Sequence, residues 1–302
     1  MGSLKKPNNS SIFLKFLYCM NIVIFIVFLY FLIWINRINE IYMEPSLSSE
    51  SWLEAHSWIE ISFLNINYIF AEPSSTIFVY LLGIITILFG IKLILKNNKQ
   101  KSLIWWGIAL CLWGLGAIFA GTSYQALSYE LKCANQTTCL WTTWWEIIYL
   151  LLSVASVNSM MFAQSYSCVA GKKRFGMQLY GLLNSIIYMV ILIVGIALPV
   201  KFMLSFELMV LFLIPGFIFF MIQNVRRYRS GKNKMDIIFI RIWLILAIVM
   251  ILYFGYLLSG ISDWFWDFGI WFTANDILHI GLIVWMVYIG LNTSKYVKDF
   301  QL

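Results

Sequence analysis

Asp276 and His279 stand three residues apart inside the apolar stretch 270–291, with Asn275 four residues before His279. At 3.6 residues per turn these three fall on adjacent positions of one helical face. A carboxylate and an imidazole so placed can ligate a divalent ion, act as general acid and base, or hold each other in a buried hydrogen bond. His279 is the only His within an apolar stretch, since His56 lies in a polar connection. Four more acids border other apolar stretches: Glu72, Glu130, Glu146 and Glu207, with Glu146 directly following Trp144 and Trp145. An ionisable side chain at bilayer depth is costly, so each is a functional candidate. The candidate catalytic set is Asp276, His279, Glu146 and Glu130. His279, Asp276 and Glu146 are the candidate ligands of one zinc or other divalent ion with a position left for water, and Glu72 and Asn275 stand beside them.

These residues need a membrane scaffold. Of 302 residues 61% are hydrophobic and only 12% charged, and the mean hydropathy is +0.82, far from the roughly 25% charged composition of a soluble domain. A soluble enzyme, a disordered chain and a coiled coil are excluded, and nothing points to nucleic acid or a soluble cofactor as partner. Stretches near the ~20 residues needed to cross a bilayer occur at 13–35, 76–95, 103–125, 144–165, 176–199, 206–224, 237–260 and 270–291. The expected fold is an all-α polytopic transmembrane bundle of eight spans forming one membrane domain. Its parts are a tail (1–12), an extra first span (13–35), an outer loop (36–75), a seven-helix core (76–291) and a second tail (292–302).

With eight spans, 18 of the 21 Lys and Arg fall on one side, leaving only Arg37, Lys132 and Lys201 on the other. The positive-inside rule then places both termini in the cytoplasm, in a plasma or inner membrane. Twelve of the 14 acids fall on the outer side, Asp236 and Asp299 being the exceptions. All six candidates of the opening set therefore belong to the outer end of the bundle.

In the outer loop, Ser51 and Glu54 have capping-box spacing, and Trp52, Ala55, Ile59, Phe63, Ile66 and Phe70 recur every three or four residues. That pattern predicts one interfacial helix. Cys133 and Cys139 share a short outer connection and are expected to form a disulfide, because that side faces an oxidising compartment. The aromatic segment Asp263-Trp264-Phe265-Trp266-Asp267-Phe268 reads as part of the interfacial belt.

Three segments in order resemble the superfamily of alkaline ceramidases and adiponectin receptors, seven-helix membrane hydrolases. They are Glu72-Pro73-Ser74-Ser75, the helix from Gly114 through Ala117, Ala120 and Gly121 to Gln125, and Asn275-x-x-x-His279. The resemblance implies that 76–291 is the family core. It matches His279 to the last metal-binding His, Asn275 to the His before it, Ala120 or Gly121 to the His of the earlier helix, and Ala117 to the family's Ser. It therefore supports the fold more than the zinc or the reaction. Two functions stay open: a ceramidase-like amide or ester hydrolase acting on a membrane lipid, or a non-catalytic lipid-binding, sensory or accessory protein on the same fold with the metal site lost.

Overall fold

A computed structural model of the chain describes residues 35–63 and 66–300. The expected first span, 13–35, lies outside the described residues except for its last position. Among the described residues seven helices are long and apolar enough to cross a membrane, and they make the chain a multi-pass, all-α membrane bundle. They are α2 (Pro73–Leu95), α3 (Lys101–Ala120, extended by a π-helical turn Gly121–Ala126), α5 (Trp144–Cys168), α6 (Gly171–Ala197), α7 (Phe206–Gly231), α8 (Lys234–Ser259) and α10 (Ala274–Tyr296). The short helices α1 (Ser49–Ala55), α4 (Ser128–Lys132) and α9 (Ile261–Asp267) lie in connections at one end.

The exterior of the bundle is apolar, as lipid requires: Ile77, Leu88, Ile251 and Leu258 are all more than half exposed. Helix α5 is the most enclosed span and packs against α3, α6 and α7. Helices α2 and α3 approach closely. Gly83 faces Gly114 and Gly90 faces Gly107, so near that a Cβ on Gly107 would lie 2.7 Å from the Gly90 carbonyl oxygen and one on Gly114 2.6 Å from that of Gly83. Two glycines seven residues apart on each helix thus make a backbone-to-backbone seam, the membrane form of small-residue packing. Deep in the bundle Trp113, Trp243 and Trp285 cluster, and the Trp285 indole N–H donates to the Ile242 carbonyl at 2.8 Å.

The two ends differ. At one end the connections are short and basic. The C-terminal tail returns there, and the Asp299 carboxylate accepts from the backbone N–H groups of Lys101 and Ser102, both at 2.8 Å, capping the start of α3. At the other end the connections build a folded cap, held by the Cys133–Cys139 disulfide, which packs with Trp52 and Ala71.

One expectation is corrected in this cap. The interfacial helix predicted across 51–70 stops at Ala55, and β1 (Trp58–Phe63) and β2 (Ile66–Ala71) form an antiparallel hairpin with Trp58 opposite Ala71. The N-cap is Ser48, not Ser51: the Ser48 hydroxyl accepts from the Ser51 N–H at 3.1 Å. Trp58-Ile59-Glu60-Ile61-Ser62 also alternates with period two and is rich in strand formers, and that pattern prevails once the chain turns back on itself.

Candidate functional site

The sequence-selected residues separate into two polar groups at the capped end of the bundle. The first lies on the seam between α2 and α10. Glu72, in a left-handed conformation (φ 40°) just before Pro73, accepts a hydrogen bond from the Asn275 amide at 3.4 Å. One turn further in, the Ser75 hydroxyl lies 3.3 Å from His279 Nδ1. Asp276 is fully buried but turns towards the start of its own helix, where Oδ2 accepts from the Thr273 N–H at 2.5 Å. Of the alternatives that the spacing of Asp276 and His279 leaves open, a hydrogen bond between the two is not formed: the carboxylate caps its own helix and His279 Nδ1 meets Ser75.

Burial pushes the Glu72 carboxyl up to about 7; the Asn275 hydrogen bond works against the rise and the nearby Asp276 charge adds to it. A group whose folded value lies above its ordinary 4.5 gives a stabilisation that is complete below that value and lost as pH rises through about 7. Thermal stability in detergent should therefore fall between about pH 5 and about pH 8 more steeply for the wild type than for Glu72→Gln. Equal slopes would contradict this assignment.

The second group joins α3, α4 and α5. Glu146, buried at the first turn of α5, forms an ion pair with Lys132 of α4 and accepts from the Ser123 hydroxyl at 2.8 Å. Ser123 also meets the Thr143 hydroxyl at 2.8 Å. The π-helical turn, closed by the Leu127 N–H donating to the Thr122 carbonyl, carries Ser123 to this position. Such turns recur at functional sites because they re-aim side chains. The Lys132 ammonium also sits over the Tyr124 ring, 4.9 Å from its centre.

Glu130 belongs to neither group. Its Oε1 accepts from the Ile69 N–H at 2.8 Å, tying β2 to α4. Among the described residues no three His, Cys, Asp or Glu side chains come together in a way that could hold a metal ion. The expected set of His279, Asp276 and Glu146 is thus not assembled: Lys132 supplies the positive charge that Glu146 needs, and Ser75 is the partner of His279.

The first group borders a cavity through His279, whereas Glu146, Lys132, Ser123 and Thr143 do not line it. A space of about 490 Å³ lies within the bundle, inside the usual range of about 300–1,000 Å³ for small-molecule sites. Its lining comes from six spans and is almost wholly apolar, including Trp113, Phe217, Trp243 and the adaptable Met209, Met221 and Met250. Its polar residues are Tyr149, Ser153 and His279. Ala117 and Ala120 line it as well. Ile214, Ile218 and Phe254 both line the cavity and are exposed on the outside of the bundle, so the space reaches the lipid-facing surface between α7 and α8.

Sequence reasoning missed Lys132 and Ser123 as partners of Glu146. The available signal was the rarity of Lys132, one of three basic residues on the acidic side. No protein-family model, curated protein or solved structure matches the chain.

Proposed function

We propose that this is an eight-span membrane protein, with both termini in the cytoplasm, that holds the apolar chain of a membrane lipid in its central cavity without hydrolysing it. The observation that carries this reading is the composition of the cavity wall: apolar residues from six spans, open to the bilayer between α7 and α8, with His279 its one titratable imidazole. Apolar burial near 25 cal/mol per Å² would supply the affinity, and three methionines would adapt to the chain. The resemblance to the ceramidase and adiponectin-receptor superfamily agrees with this: of Ala120 and Gly121, the two positions it offers for that family's metal-binding His, neither can bind metal, and Ala120 lines the same cavity as His279. Methyl groups in place of donors leave room for hydrocarbon.

The test is native mass spectrometry of protein purified from its membrane. Bound lipid should be present in the wild type and depleted in Ala120→Phe, which fills the cavity. Equal lipid occupancy in both would refute the reading.

A second reading, the lipid hydrolase, is favoured by one observation: the Ser75 hydroxyl beside His279 is a nucleophile–base pair in form. Covalent labelling of Ser75 by a lipid-like fluorophosphonate, abolished by His279→Ala, would establish it. No label at Ser75 would leave the non-catalytic reading in place.

The orientation rests on the basic census, 18 residues against three. Protease added outside sealed cells should spare tags on both termini while cutting one inserted beside the exposed Asn135. Cleavage of either terminal tag from outside would overturn it.

A further inference from the structure

A hydrocarbon chain alone leaves one polar corner of the central cavity unmatched, at His279. On the reading of this cavity as a lipid site, we propose that the lipid has a single chain and a neutral head with a free hydroxyl, such as a fatty alcohol or a monoacylglycerol. That hydroxyl hydrogen-bonds to His279 inside the cavity.

His279 lines the cavity and is only 7% exposed. Its hydrogen bonds go to one residue of α2: Nδ1 lies 3.3 Å from the Ser75 hydroxyl, and the ring also bonds the Ser75 backbone. The two nitrogens of an imidazole point more than a right angle apart, so Nε2 is turned away from Ser75. It has no hydrogen-bond partner among the described residues and is not closed in by protein. Facing only hydrocarbon, that nitrogen would forfeit a hydrogen bond it has in water. Which nitrogen carries the proton depends on whether Ser75 donates or accepts, and a hydroxyl, as both donor and acceptor, suits either form. A lone ester carbonyl suits only one.

The cavity wall is graded with depth. His279 and Tyr149 lie about 7–8 Å down helices that start at the capped end, and Ser153 is one turn deeper. Met221 and Trp243 lie about 22–24 Å from that end, where the wall is wholly apolar. A hydroxyl at the shallow end with its chain running inward matches this gradient. The entrance between α7 and α8 sets the charge. Ile214 and Ile218 stand about 12 and 18 Å along α7, so a lipid taken in there brings its head through hydrocarbon. A phosphodiester or an ionised carboxylate pays heavily for that passage, and no Lys or Arg in the wall receives it. A hydroxyl crosses at far lower cost, and a one-chain lipid can be taken whole into about 490 Å³.

The test uses full-length protein in a neutral maltoside detergent. A long-chain alcohol bearing a diazirine is photoactivated, and labelled cavity peptides are quantified by mass spectrometry. The competitors are oleyl alcohol, monoolein, oleate at alkaline pH, octadecene and dioleoyl phosphatidylglycerol. Oleyl alcohol or monoolein should compete about tenfold better than the other three. In His279→Leu that advantage should vanish, with the alcohols falling to the level of octadecene, while His279→Gln, whose amide donates and accepts, should recover part of it. Should His279→Leu fail to fold, as melting would show, the order of competitors in the wild type decides alone. Equal competition by oleate, octadecene or the phospholipid, or an advantage retained in a folded His279→Leu, overturns the proposal while leaving the cavity a lipid site. Cavity labelling no greater in the wild type than in Ala120→Phe overturns the lipid site itself, and the proposal with it.

Discussion

Glu146→Gln should lower the stability of the folded protein by about 3–5 kcal/mol, the usual loss when one member of a buried ion pair is removed and the other is left charged. Both side chains of the Lys132–Glu146 pair are less than a tenth exposed, so solvent cannot take over the missing interaction. Lys132→Met should cost a similar amount by stranding the carboxylate, although the Ser123 hydroxyl still donates to it. The double variant Lys132→Met/Glu146→Leu should recover much of the loss, because an apolar pair of similar volume avoids the desolvation that the ions suffer. In detergent the single variants should melt on the order of 10 °C lower. Additive losses in the double variant would show that the two residues act separately and that the pair does not join α4 to α5.

The second large effect is steric. Gly107→Ala should separate α2 from α3, because the new Cβ would stand 2.7 Å from the Gly90 carbonyl oxygen and 2.5 Å from Ile94 Cγ1. Gly114→Ala should do the same against Gly83 one heptad along. Overpacking of this kind costs on the order of 3 kcal/mol, and backbone cannot move aside as a flexible side chain can. Gly176→Ala in α6 is the matched comparison: nothing lies within 4 Å of its Cβ, and Ala is the better helix former by up to about 1 kcal/mol. The expected order of melting temperatures is therefore Gly176→Ala at or above wild type, with Gly107→Ala and Gly114→Ala well below. Wild-type stability in all three would show that the close seam is not a determinant of packing.

The spans could be read from the sequence because hydrocarbon imposes one strong requirement, a long unbroken apolar stretch whose backbone bonds itself. The ends of the seven described spans fall within five residues of the expected ones except that α7 runs to Gly231 rather than 224; α10 begins at Ala274 rather than 270 because the chain from Gly269 to Thr273 is still turning out of α9. The cap was less legible. Residues 58–71 carry a helical spacing of apolar residues and a strand-like alternation together, and only pairing across the hairpin decides between them.

The polar site was half legible. Cost at bilayer depth identified Glu146, Asp276, His279 and Glu72 as residues needing partners, and each has a polar contact in the structure. Which partner each takes depends on helix rotation and on the π-helical turn at Gly121–Ala126, neither of which a single sequence encodes locally. The central cavity had no sequence signal, since its walls are the same apolar residue types that fill a core.

The claim that an acyl chain occupies that cavity is tested most directly by mapping where a lipid reacts. A fatty acid bearing a diazirine near its terminal methyl, fed to cells and photoactivated, should crosslink to inward residues of the cavity such as Met209, Phe217, Met250 and Leu282. Crosslinks confined to outward-facing residues such as Ile77, Leu88 and Leu258 would contradict it.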